Sequence, residues 1–243
     1  MVRPALAGVK AIAAQTREDA DRYIAIGADA DRVTVSGNLK FDLEISADVV
    51  KQGETTRNST FPSRPVWIAA STHKGEDEIV LQVFSKLKRK VSNLLLVLVP
   101  RHPERFEEVR KLCESEGFNV NMRTSGDECV PETDIYLADT MGELKMLYAA
   151  SDVAFVGGSL VPVGGHNVIE PAAIGVPIVF GPYMSNFKEI EKGLLDANGA
   201  FQCTDSELLR QALEKLLQNR DYSQEIANNA KAFVQQNLSL IHI

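Results

Sequence analysis

The chain has 243 residues, 44 % of them hydrophobic and 24 % charged, and a formal net charge of -7. This is the balance of a globular protein with a sizeable core, and its acidity argues against nucleic acid as a partner, because a surface that meets a phosphate backbone is basic. Cys113, Cys129 and Cys203 lack CxxC spacing and read as reduced thiols, no metal site is legible, there is no signal peptide, and no apolar run reaches the length of a membrane span.

From the N-terminus, a short apolar run at 10–14 precedes a helix that starts at Thr16, an N-cap threonine before an acidic first turn, and runs to about Ile26, where Gly27 ends it. Val33 opens a strand and completes a β-α-β unit. Residues 37–42 then lead into a polar stretch, 46–63, that reads as a helix or a linker and ends at Pro62 and Pro65; the domain boundary falls here. Beyond Pro65 strand and helix alternate. Strands begin at Val66, Leu94, Val120, Asp134, Val153, Val176 and Ala200, with helices over 75–91, 104–116, 142–151, 168–174, 187–197, 206–217 and 222–236. The expectation is an α/β fold, a Rossmann-like parallel sheet with helices on both faces.

Ligands of such sheets sit beyond the carboxyl ends of the strands. Four loops lie there: Ser71-Thr72-His73-Lys74, Pro100-Arg101-His102-Pro103, Asp139-Thr140-Met141-Gly142-Glu143, and the glycine-rich stretch from Gly157 to Asn167. Three of the chain's four histidines fall in three of these loops. The glycine loop opens a helix, where unpaired backbone N–H groups suit a phosphate or sugar phosphate. Asn167 and Glu170 have capping-box spacing; they either cap that helix and nothing more, or Glu170 accepts hydrogen bonds from two ribose hydroxyls. Arg101, held between two prolines, offers a guanidinium fork to a phosphate, the alternative being a surface pair with Glu104 or Glu107. Ser71 and Thr72 are read as helix caps or as site groups, and His102 as an ordering residue or a contact. Lys40, on the crossing between domains, is placed to stabilise charge leaving with a phosphate, or is a solvated linker lysine.

The blocks Gly37-Asn-Leu-Lys-Phe-Asp42, Ser71-Thr-His-Lys-Gly75, Val99-Pro-Arg-His-Pro-Glu-Arg-Phe106 and Asp139-Thr-Met-Gly-Glu-Leu144 recur with Phe155-Val-Gly-Gly-Ser-Leu160, Gly164-Gly-His-Asn-Val-Ile-Glu-Pro171 and Phe180-Gly-Pro182 with Asn186-Phe187. In this order they resemble the C-terminal, donor-binding half of the 3-deoxy-D-manno-octulosonic acid (Kdo) transferase family. These are bacterial glycosyltransferases of GT-B fold that move Kdo from CMP-Kdo onto the lipid A precursor. The resemblance implies CMP contacts from Pro100, Arg101, Met141, Gly142, Glu143, Asn167, Val168, Ile169 and Glu170, with Lys40 as the catalytic residue that stabilises the transition state. It implies no metal and no cofactor, the donor substrate being CMP-Kdo. Where the family shows Asn-Pro-Leu-Glu this chain has Asn167-Val168-Ile169-Glu170, which loses a proline's pre-organisation and keeps both polar ends.

The reaction implied is an inverting displacement: a glutamate of the N-terminal domain deprotonates the acceptor hydroxyl while CMP leaves as an anion. That glutamate and the family's membrane anchor have no counterpart in these residues. The expectation is therefore a chain that binds CMP or CMP-Kdo and transfers nothing without the other half. Residues 1–45 are then the tail of the acceptor domain and the interdomain crossing, 46–64 a linker, 65–237 the donor domain, and 238–243 an artefact of cloning or reading frame. The parent is placed at the cytoplasmic side of the inner membrane, in lipopolysaccharide synthesis, and this chain is expected to be soluble. The alternatives are a UDP-sugar GT-B transferase or epimerase, sharing the ribose contact of Glu170, and a non-catalytic nucleotide-binding module. A dinucleotide dehydrogenase is disfavoured, because the loop after Val156 lacks GxGxxG spacing.

Overall fold

The structure, a computed structural model, describes residues 6, 8–14, 17–35 and 45–239, the side chains of 238 and 239 excepted. Thr16, residues 36–44 with Lys40 among them, and residues 240–243 lie outside the described residues. The chain divides into two units, 1–44 with 234–243 and 45–233.

In the smaller unit β1 (Ile12–Ala14), α1 (Arg17–Ala25) and β2 (Val33–Val35) form the expected β-α-β unit, with Ile12 opposite Val33 in a parallel pair. Gly27, at φ 109, ends the helix in a conformation that suits glycine.

The larger unit carries β3 (Val66–Thr72), β4 (Leu95–Pro100), β5 (Val120–Met122), β6 (Ile135–Leu137), β7 (Val153–Val156), β8 (Ile178–Phe180) and β9 (Ala200–Gln202). They form one sheet of seven strands in the order β5-β6-β4-β3-β7-β8-β9, every pairing parallel. The helices are α2 (Ala47–Thr60), α3 (Asp77–Lys88), α4 (Phe106–Ser115), α5 (Leu144–Ala149), α6 (Ile169–Ile174), α7 (Lys188–Asp196), α8 (Ser206–Gln218) and α9 (Arg220–Ser239). Every residue of β3 is buried, because helices cover both faces of the sheet. Successive side chains alternate between two cores. Trp67 and Ala69 join Val80, Phe84, Leu96 and Phe155, while Val66, Ile68 and Ala70 join Leu95, Val97 and Tyr148. Full burial of each such large side chain is worth about 1.5–3 kcal/mol, so this central strand is a rigid floor for the loops at its end.

Residues 46–64, read as a helix or a linker, carry α2 and belong to the larger unit. Ser46 caps it, its hydroxyl accepting from the Val49 N–H at 3.4 Å. Its one buried residue is Gly53, where an added Cβ would come within 2.9 Å of the Ala149 carbonyl carbon. Arg57 then donates to Asp152 at 2.9 Å and to the Ala150 carbonyl at 3.3 Å. The helix docks through a glycine and an arginine, which is why no apolar stripe announces it. Cys113 and Cys203 are free and buried, and burial pushes both thiols up to about 12. Among the described residues no helix is long and apolar enough to cross a membrane.

Candidate functional site

From β3 the chain runs outward through β4 on one side and later returns to β7 on the other, so the strand order reverses beside β3. The crevice beyond the carboxyl ends of β4, β3 and β7 is where such sheets bind ligands. The end of β3 is irregular: the register shifts between Ala70 and Thr72, and buried Ser71 sits at φ 58. This left-handed serine is a strained turn that re-aims the loop. Gly157 passes against it so closely that a Cβ would lie 2.6 Å from the Ser71 carbonyl oxygen. The Arg101 N–H donates to the Thr72 carbonyl at 3.0 Å, which ties the β4 loop to the same point.

Glu76 organises the glycine loop, and sequence reasoning missed it. It is 0 % exposed, yet its carboxylate accepts from four backbone N–H groups: Gly158 at 2.7 Å, His73 at 2.9 Å, Leu160 at 2.9 Å and Ser159 at 3.0 Å. Burial raises its pKa, and the four donors oppose that rise. The amides of 158–160 in the glycine loop are therefore satisfied inside the protein. Ser71 and Thr72 are not the caps of α3 either. The Thr72 hydroxyl donates to Asp77 at 2.7 Å, and buried Asp77 also pairs with Arg105, which reaches the Thr72 carbonyl at 3.2 Å. Two acids opening a helix look like ordinary dipole-favouring residues; only their burial tells them apart.

With both loops pinned, the histidines meet. His73 and His166 approach Nε2 to Nε2 at 2.7 Å with ring planes 8° apart, and His102 stands edge-on to His73 at a centroid distance of 5.3 Å. Gly158, at φ 66, makes room: a Cβ there would lie 2.9 Å from the His166 ring. Burial, then His73, Arg101 and His102, lower the His166 pKa to about 4. His73 is lowered by burial, then by His102, Arg105 and Arg101, with Asp77 opposing.

Arg101 is exposed and takes no ion-pair partner among the described residues, neither Glu104 nor Glu107; Glu107 pairs with Arg110 and Lys111. Pro100 is buried at the end of β4. In the loop after β6, Met141 is 60 % exposed, and Gly142, at φ 87, has no heavy atom within 4 Å of a would-be Cβ. Both lie open to a ligand. Glu143 does not: its carboxylate accepts from Arg123 Nη2 at 3.0 Å and Nε at 3.2 Å, and from Thr140. Burial alone would raise the Glu143 pKa, but Thr140 and Arg123 outweigh it and lower it.

At the start of α6 Asn167 accepts from the Ile169 N–H at 3.0 Å. Val168 and Ile169 are 0 % exposed, so their side chains belong to the core and the Ile169 amide is already used. Their side chains are closed to a ligand, which leaves their backbone. The N–H groups of His166, Asn167 and Val168 take no hydrogen-bond partner among the described residues. Glu170 is half-buried; burial raises its pKa, while Lys145 and Asn167 draw it back. Lys40 lies outside the described residues.

A cavity of about 450 Å³ opens beside the glycine loop, lined by Pro162, Gly164, Tyr183, Met184 and Lys188 among others. A cavity of about 580 Å³ lies at the opposite, amino ends of the strands, near Arg57, Arg64 and Arg220. It is larger, but most of its charge is spent. Arg64 donates to the carbonyls of Thr133 at 2.7 Å, Asn93 at 3.2 Å and Val130 at 3.2 Å, and Arg57 holds Asp152. The carboxyl ends, with Arg101 and the unpartnered amides of half-buried His166 and Asn167, are the better anion site.

Family models match the chain in two places: 3-deoxy-D-manno-octulosonic-acid transferase (kdotransferase) over residues 1–43, and glycosyl transferases group 1 over residues 69–233. A 3-deoxy-D-manno-octulosonic acid transferase of Haemophilus influenzae is 38 % identical over 230 residues, which is 94 % of this chain and 54 % of the relative. One of Bordetella pertussis is 38 % identical over 221 residues, 89 % of this chain and 50 % of the relative. The chain thus spans about half the length of these relatives. The solved C-terminal CMP-Kdo binding domain of WaaA from Acinetobacter baumannii superposes with a TM-score of 0.74 at 33 % identity, over 78 % of this chain and 100 % of that one. Anabaena Alr3699/HepE, solved with UDP and glucose, aligns with 98 % of this chain and 62 % of its own at a TM-score of 0.60 and 16 % identity, a likeness of fold.

Proposed function

The chain belongs to the 3-deoxy-D-manno-octulosonic acid transferase family of group 1 glycosyltransferases, and from that premise we propose that its larger unit is the half that binds the CMP-activated sugar donor. The observation that carries the reading is that one end of one sheet carries an unpaired guanidinium on Arg101, the unpartnered amides of half-buried His166 and Asn167, and the carboxylate of Glu170. A phosphate lies against Arg101 and those amides, the ribose diol donates to Glu170, and the base covers Met141 and Gly142.

When the glycosidic bond breaks, negative charge grows on the phosphate of departing CMP. Groups already aimed at that point stabilise it without reorganising. Arg101 and the amides of His166 and Asn167 fill that role from the larger unit, and by the family resemblance Lys40 is the catalytic residue that stabilises the transition state. In this reading the charge is balanced by the protein alone, with no metal. The acceptor, a hydroxyl of the lipid A precursor at the cytoplasmic face of the inner membrane, is deprotonated by a glutamate of the family's N-terminal domain, and the configuration inverts. Competition between CMP, UMP and UDP for the chain tests the reading: CMP is expected to win, and a preference for UDP would move the protein to the UDP-sugar transferases.

A further inference from the structure

We propose that the His73–His166 pair is a proton-linked part of the nucleotide site, taking up one proton as the phosphate of a cytidine nucleotide binds beside Arg101 and holding that phosphate as an imidazolium. The inference rests on the donor-site reading above and adds to it two residues and a proton.

The geometry comes first. Two Nε2 atoms 2.7 Å apart share a single hydrogen: one ring donates and the other accepts, and a second proton has no room between them. The pair is not free to turn away. The His73 backbone is clamped by Glu76, and the His166 ring lies against the backbone of Gly158, itself clamped by Glu76. The half-buried rings lie in the same crevice as the unpartnered amides of His166 and Asn167. A packing role needs neither this contact nor this position.

The charges around the pair set its protonation. From the β4 loop come Arg101, His102 and Arg105; from the β3 loop come Asp77, already paired with Arg105, and Glu76, already satisfied by four amides. What remains uncompensated near the rings is the positive charge of Arg101. In the free protein it opposes protonation, together with burial, and keeps both rings neutral at neutral pH. An arriving phosphate dianion reverses the sign of that local field. The proton comes from the buffer and goes to the outer nitrogen of one ring, the shared N–H···N bond is kept, and no bond of the nucleotide is made or broken.

The test is calorimetric titration of CMP into the chain at pH 7.5, repeated in two buffers of different ionisation enthalpy. At that pH CMP is almost entirely dianionic, its second phosphate pKa lying near about 6, so its own ionisation contributes little. The proposal expects uptake of about one-half to one proton per CMP bound. His166→Gln and His73→Gln, checked for folding by circular dichroism, are expected to bind about tenfold more weakly and without uptake. Ring ¹⁵N shifts of the unaltered chain provide a second readout that needs no variant, and they should move to imidazolium values on adding CMP. Binding of CMP with no proton uptake and unmoved ring shifts overturns the proposal and leaves the donor site standing. Absence of CMP binding overturns the donor site itself.

Discussion

Replacing Glu76 is expected to do more damage than any surface carboxylate should. The side chain is fully buried and answers four backbone donors, of which the amides of Gly158 and Ser159 are themselves in buried surroundings. In Glu76→Ala those two donors are stranded, at about 1–3 kcal/mol each, while those of His73 and Leu160 are near enough to the surface for water to replace the oxygen. Removing a buried carboxylate returns part of that cost, which leaves a net loss of about 3–4 kcal/mol. For a chain of this size that is a fall of about 6–16 °C in Tm. Glu76→Gln is not a rescue: its one oxygen serves two of the amides and its NH₂ faces the other two, so the expected loss is within about 1 kcal/mol of that of the alanine variant. Urea unfolding followed by circular dichroism measures both. Exposed Glu78 next to it is the control, with Glu78→Ala expected within about 0.5 kcal/mol of the parent. A loss below about 1 kcal/mol for Glu76→Ala would refute the idea that this carboxylate holds the glycine loop.

His166, held near pKa 4 in the folded chain against an ordinary 6.5, leaves the unfolded chain binding more protons between those values. Stability therefore falls as pH drops through that window, by roughly 2 kcal/mol after allowing for the half-exposed ring; urea midpoints at pH 7 and pH 5 should differ less in His166→Gln, and equal slopes would contradict the assignment. Gly157→Ala puts a Cβ 2.6 Å from the Ser71 carbonyl and is expected to lose about 2 kcal/mol or more in the same assay. Arg64→Lys is expected to unfold about 2–3 kcal/mol more easily, because an ammonium cannot reach the carbonyls of Asn93, Val130 and Thr133 together; an unchanged midpoint would show the fork is not needed. Arg101→Ala, in contrast, is expected to leave Tm within about 2 °C and to weaken CMP binding by about 2 kcal/mol, roughly thirtyfold, which calorimetry separates.

The alternation of strand and helix from Val66 onward was readable because short apolar runs punctuated by glycine and proline are what a two-sided parallel sheet demands. The loops at the strand ends followed from the same rule, and with them Arg101, the three histidines and Glu170. What the pattern hid was polar and buried. Glu76, Asp77 and Arg105 look like surface charges in one dimension, and only the fold shows them locked together beneath the glycine loop. The stretch that carries α2 stayed open between helix and linker for a related reason, since its contact runs through Gly53 and Arg57 and not through an apolar stripe. Glu143, Val168 and Ile169 have partners of their own that the pattern did not show, Arg123 for the first and the core for the other two.

A crystal structure of the chain grown with CMP tests the central claim most directly. The account expects the phosphate within hydrogen-bonding distance of Arg101 and of the amides of His166 and Asn167, and the ribose hydroxyls on Glu170. Nucleotide seated instead in the arginine-lined cavity at the amino ends of the strands, with Arg101 facing empty solvent, would contradict it.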